Sequence, residues 1–260
     1  MTVLFYVKQG LVILTLAAMY GFEHLSPFYS GRGKIWSHDL RNIAIGILNV
    51  GITTIAFSSL TLYVTSQLSA AEFGLLRIVN LPRAVKIVIS IVCIDLYMYW
   101  WHRLNHRFRF LWLFHRVHHS DPFVNVTSSY RFHIIEVAIS LVGRLALIAL
   151  LGVDMFAAFL YEMIFSPIVY FHHSNIAISE TVDRFLRMVV PSPHMHRVHH
   201  STKQKETDSN YGSVLSVWDR MFRSFNLVDD PRAINQGLIE YKDASHHTII
   251  GMLKTPFIRV

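Results

Sequence analysis

Two identical hexapeptides occur in this chain, His115-Arg116-Val117-His118-His119-Ser120 and His196-Arg197-Val198-His199-His200-Ser201. A further pair, His102 and His106, sits just upstream of the first copy. On a helix, residues at i, i+3 and i+4 share one face. Each copy therefore presents three imidazoles as one prong, and His102 with His106 adds another. Imidazole is the commonest protein ligand for first-row transition metals. One ion takes roughly four to six ligands. These eight histidines are too many for one ion and suit two, so a dinuclear metal site is expected.

The neighbours of these histidines are candidates for orienting them. Asp95 lies about two turns before His102 on the same helical face and is expected to fix the tautomer of a ligating imidazole. Its alternative partner is Arg103. An acid inside an apolar span is a functional candidate in its own right. After the first copy come Asp121, Asn125, Arg131, His133 and Glu136. They could bond to ligand imidazoles or order the loop, and Asp121-Pro122 also reads as a plain turn start. His133 fits a structural role as well as a functional one. In His172-His173 the two rings point about 100° apart, so one faces the site; His173 is the expected ninth ligand, with His172 as the other possibility. His194 falls off the face of the second copy. His246 and His247 lie far along a polar tail and read as solvent-exposed.

The elements that carry these residues are apolar. The chain is 52% hydrophobic and 16% charged, with mean hydropathy +0.36, which points to a bilayer. Its apolar runs predict membrane helices near 3–22, 43–66, 84–104, 134–152 and 155–171. The last two could instead form a hairpin that does not fully cross. Lys8 in the first run could snorkel to the interface, Arg144 marks the fourth run and Glu162 the fifth. The fold expected is all-α: a single membrane domain over 1–260 with four to five spans and a helical cap from 102–133 and 172–225. Arg32, Lys34 and Arg41 precede the second run, and Arg103, Arg107, Arg109, Arg116 and Arg131 follow the third. The positive-inside rule then puts 23–42 and 102–133 in the cytoplasm, and 172–260 with them. Both hexapeptides fall on that side.

The net charge of +7 fits anionic lipid headgroups; no basic stripe with interleaved aromatics argues for nucleic acid. The lone Cys93 forms no intrachain disulfide and no Cys-x2-Cys metal motif. There is no phosphate-binding glycine motif. The apolar N-terminus lacks a small-x-small cleavage site and reads as a retained span.

Over roughly 95–220 the chain resembles the fatty acid hydroxylase and sterol desaturase superfamily of membrane di-iron enzymes. The resemblance is carried by Asp95-x3-Tyr99-Trp100-x-His102-Arg103-x2-His106, by Leu111-Trp112 and the first hexapeptide, and by Asn125-x-Thr127-x3-Arg131-x-His133-x2-Glu136. It continues through Phe171-His172-His173-Ser174-Asn175, the second hexapeptide, Asp208-x-Asn210-Tyr211-Gly212 and Trp218-Asp219-Arg220. It implies two iron ions under a cytoplasmic His-rich cap, with Asn210 among the residues around the ligands. Some members carry a further ligand one turn before the position of His173; here that residue is Val169. Where relatives often have Gly-Thr after the Trp-Asp-Arg segment, this chain has Arg223-Ser224.

The resemblance implies an O2-dependent enzyme that hydroxylates or desaturates a fatty acyl, sterol or other lipid C–H bond in a bacterial inner membrane or the endoplasmic reticulum. With no fused haem domain visible, electrons are expected from a separate protein of cytochrome b5, ferredoxin or reductase type. Zinc could replace iron in a purified sample, because imidazole binds divalent zinc more tightly than ferrous iron. Two other classes fit less well. A metal transporter should place its ligands near the bilayer midplane, whereas these lie at span ends. A zinc-dependent lipid hydrolase needs fewer ligands.

Overall fold

A computed structural model describes residues 2–30 and 35–258; Arg32 and Lys34 lie outside the described residues. Twelve α-helices and no strand occur among them. Five helices are long: α1 (Thr2–Leu25), α2 (Trp36–Ala70), α4 (Arg83–Arg107), α6 (Ile134–Leu151) and α7 (Met155–His173). The short ones are α3 (Leu75–Ile78), α5 (Arg109–His119), α8 (Glu180–Leu186), α9 (Pro193–His199), α10 (Gln204–Thr207), α11 (Val217–Met221) and α12 (Ile249–Lys254). By length and composition α4, α6 and α7 can cross a membrane, and the protein is an integral membrane protein. α1 and α2 cover the other two apolar runs. At 35 residues, α2 rises about 52 Å, more than a bilayer's apolar layer of about 30 Å.

Local chemistry sets the ends of these helices. Pro82 precedes α4, and extended Phe108 breaks it from α5. The His133 ring accepts from the Ile135 amide to cap α6, and Asp154 caps α7. Between α6 and α7 the chain turns at Gly152, in the left-handed region at φ 66°. Gly74, at φ 122°, packs against it so closely that a Cβ on Gly74 would meet the Gly152 Cα at 2.3 Å.

All five long helices reach one common layer. Near the end of α1, the Glu23 carboxylate accepts from the Val126 and Asn175 amides, both at 3.0 Å. At the start of α2, Asp39 accepts from Asn125 at 2.7 Å. α4 brings His102 and His106 to the layer, α6 brings Glu136, and α7 brings His173. Within the bundle, Ile94, Ile148, Val153, Ala157, Tyr161 and Val214 form the main core. Lys8 does not snorkel. It points inward to Glu162 at 3.7 Å, and Arg144 bonds the same carboxylate. Charges at this depth are stable only when paired.

Candidate metal centre

The nine histidines singled out from the sequence converge in two groups. His102, His106, His115, His119 and His199 form one; His118, His173, His196 and His200 form the other. Within each group the ligand atoms lie within 4.8 Å of one another. The two hexapeptides interleave. α5 gives its i and i+4 histidines to the first group and its i+3 histidine to the second. α9 with its cap His200 does the reverse. This follows from helical geometry, because i and i+4 point one way and i+3 about 60° aside.

The rings are held by their outer nitrogens. His102 Nδ1 donates to the Tyr211 carbonyl at 3.0 Å and His199 Nδ1 to Ser209 at 2.7 Å. His173 Nδ1 donates to the Val169 carbonyl at 2.8 Å. His115 Nδ1 donates to the Glu136 carboxylate at 2.7 Å. A carbonyl cannot donate, so in these rings Nδ1 carries the proton and Nε2 keeps its lone pair. In the first group all five Nε2 atoms are buried and lack a hydrogen-bond partner. In the second, His173 Nε2 lies 3.2 Å from His118 Nε2 and 2.9 Å from His196 Nε2, which is 3.1 Å from His200 Nε2. Four such nitrogens around one ion at 2.0–2.1 Å would be about 3.3–3.4 Å apart. Both groups therefore fit a metal ion each.

Burial, reinforced by neighbouring imidazoles, keeps His118, His119, His196, His199 and His200 well below the usual histidine range. They are neutral at pH 7, as ligands must be. His172 belongs to neither group, but its ring packs 4.2 Å from that of His196.

Several surrounding residues take roles that differ from those expected. Asp95 touches no histidine. It accepts from Tyr161 Oη, the Val214 and Leu215 amides and the Trp218 indole at 2.7–3.1 Å. It shares the face of His102, but seven residues of helix are about 10 Å of rise, beyond a carboxylate's reach. Its part is to hold residues 214–218. Asp219 likewise accepts from the Tyr211 and Gly212 amides. Asn210, at φ 54°, donates to the Met195 and Asn226 carbonyls and so fixes the stretch whose Ser209 and Tyr211 carbonyls orient His199 and His102. Glu136 does contact a histidine of the first group, His115.

Asp121 and Asn125 form no hydrogen bond to any of the nine grouped histidines. Asp121 accepts from His38 at 2.7 Å and from Ser128, and Asn125 caps the turn at Val126–Tyr130. His133 is structural: its Nε2 donates to the Leu253 carbonyl at 3.2 Å. His247 is not solvent-exposed. It is half-buried and accepts from fully buried Arg131 at 2.9 Å; burial and then Arg131 push it down to about 4. His246 packs edge-on against Tyr241. His194 stays apart, 3.7 Å from Glu180. Sequence reasoning missed His38, Asp39 and Glu23; the only signal was polar residues placed at the ends of apolar runs.

Beside the centre is a cavity of about 720 Å³, bordered by Ser120, the last residue of the first hexapeptide, and by Thr202, which follows the second. Arg41, Lys242, His38 and His247 line it, and among the described residues no acidic side chain does.

The fatty acid hydroxylase sequence profile matches residues 87–224. The chain is 27% identical over 230 residues to ornithine lipid hydroxylase OlsE of Rhizobium tropici, covering 86% of this chain and 68% of that protein. It is 29% identical over 137 residues to alkylglycerol monooxygenase of Danio rerio, covering 53% and 30%. With the Caenorhabditis elegans alkylglycerol monooxygenase it shares 34% over 143 residues, covering 53% and 26%. This chain thus spans about a third or less of the alkylglycerol monooxygenases. No solved structure matches.

Proposed function

The chain belongs to the fatty acid hydroxylase family, and from that premise we propose that it hydroxylates a C–H bond of a polar membrane lipid, using O2 at two iron ions. The observation that carries the reading is the set of nine inward-facing imidazoles in two groups of five and four. The names of the relatives, an ornithine lipid hydroxylase and alkylglycerol monooxygenases, support a polar lipid as substrate. When bound, the ions supply what no side chain can: O2 activation with two electrons from a separate electron-transfer protein.

The chain's own residues do the rest. Carbonyls of Val169, Ser209 and Tyr211 and the Glu136 carboxylate hold imidazoles in the ligating tautomer, and such outer partners raise ligand basicity. Burial of the rings excludes water from the reacting centre. The cavity beside Ser120 and Thr202 receives the lipid's polar head, with Arg41 and Lys242 facing any anionic group on it. The histidine layer faces the cytoplasm, on the side of the arginine-rich stretch 103–116.

Mass spectrometry of host lipids tests this, with and without expression and under oxygen or anoxia. A lipid that gains one oxygen atom only with the protein and O2 is the expected result. A product lacking two hydrogens would mean desaturation, and no new lipid in iron-replete cells would overturn the proposal.

A further inference from the structure

Part of the cap lies at the depth of the membrane helices. Asp95 is about 10 Å down α4 from His102, and it binds the amides of Val214 and Leu215 and the indole of Trp218. The end of α8 is tied to the same place. The Ser216 amide donates to the Val189 carbonyl, and Ser216 and Arg220 both donate to the Arg187 carbonyl.

α6 supplies a depth gauge. It starts at the histidine layer, where Glu136 meets His115. Its 18 residues rise about 27 Å, no more than the apolar thickness of a bilayer, about 30 Å. If α6 crosses, the apolar layer must begin within about one turn of Glu136. Tyr97 on α4 donates to the Ser140 carbonyl, so this stretch of α4 is level with the second turn of α6. Asp95 and the chain bound to it are then well inside the apolar layer.

Two further observations agree. Phe185, Met188, Val189, Val217 and Met221 are exposed, Phe185 at 74% and Met221 at 65%. Five amides of the irregular backbone beside them are paired within the protein: those of Tyr211 and Gly212 bond to Asp219, those of Val214 and Leu215 to Asp95, and that of Ser216 to a carbonyl. Non-helical backbone is stable at membrane depth only when buried in protein with its polar groups paired internally.

We propose that the ends of α8 and α11 form a wedge immersed in the leaflet nearest the histidines, with these five side chains against lipid acyl chains. The wedge is part of the wall between the bilayer and the stretch that orients His102 and His199. The inference rests on α4 and α6 crossing the membrane and not on the reaction catalysed.

Full-length protein carrying Cys93→Ala and a single new cysteine at Phe185, Met188 or Met221 is labelled with an environment-sensitive fluorophore. It is reconstituted in vesicles of phosphatidylcholine and phosphatidylglycerol. Lipids brominated on the acyl chain should quench all three labels, and aqueous iodide should quench them several-fold less than a label at Lys203. Iodide quenching equal to that at Lys203 would overturn the proposal and place the membrane surface beyond Asp95. So would labels quenched by neither agent while cysteines at Phe185 cross-link between copies, because a second copy would then cover the face.

Discussion

His119 and His200, the fifth residues of the two hexapeptides, stack with ring centroids 4.6 Å apart and planes 21° from parallel. Yet they belong to different groups. The stack is the seam between the two candidate ion sites, and it couples residues 81 positions apart.

Because the groups share both hexapeptides, ligand substitutions separate them. His199→Ala should weaken the five-histidine group and His118→Ala the four-histidine group. Each is expected to lower bound metal from two ions toward one per chain and turnover by more than about 100-fold, since even an outer partner typically matters 10–100-fold. Elemental analysis of purified variants beside an activity assay checks this. Two retained ions with wild-type turnover would sink the assignment.

Glu136 contacts His115 through one charged hydrogen bond. Glu136→Gln keeps an acceptor but loses the charge, and Glu136→Ala loses both. A drop in metal affinity or activity of about 10–100-fold is expected for Ala, with Gln in between. Equal effects would point to packing instead.

Asp95 accepts four hydrogen bonds. Removing it strands two amides, an indole and a phenol in an apolar setting, each costing about 1–3 kcal/mol. Asp95→Ala should fail to accumulate, or lose stability by about 3 kcal/mol or more. Trp218→Phe should lose only about 1–2 kcal/mol. Thermal unfolding in detergent ranks the two; the reverse order would contradict the hydrogen-bond account.

His38 gives a pH signature. Burial lowers its imidazole, but Asp121 at 2.7 Å and Asp39 at 2.9 Å outweigh burial and nearby Arg131, raising it to about 9. A folded pKa above the unfolded value of about 6.5 stabilises fully below that value and is lost as pH rises through about 9. Wild-type protein should therefore lose thermal stability between about pH 7 and 9 through this group, while His38→Gln is less stable at pH 6 and flatter across that window. Parallel profiles would remove His38 from the explanation.

Arg41 and Lys242 border the cavity on its cationic side. If a lipid's anionic group seats there in both ground and transition states, Arg41→Ala with Lys242→Ala should raise KM by about tenfold and leave kcat unchanged. Unchanged KM for an anionic substrate would refute that use of the cavity.

The sequence revealed the helices and nine histidines because both rest on local periodicity. Apolar runs forecast α4, α6 and α7, and the i, i+3, i+4 spacing forecast the prongs. The division into five and four was not legible, since it depends on how α5 and α9 dock. Asp95 misled for a related reason: the face was right, but distance along the helix decides contact. The carbonyls of Ser209 and Tyr211 leave no trace in residue identity. His247 looked exposed because its partner, Arg131, lies 116 positions away.

The five-and-four division also sets a timetable for synthesis. Four members of the larger group, His102, His106, His115 and His119, leave the ribosome early and close together; the smaller group holds only His118 and His173 until α9 emerges. We expect the larger group to take its ion first and the smaller to wait for His196 and His200. Ribosome-stalled chains of graded length should then acquire metal in two separate steps, and a single step at full length would refute the sequence of loading.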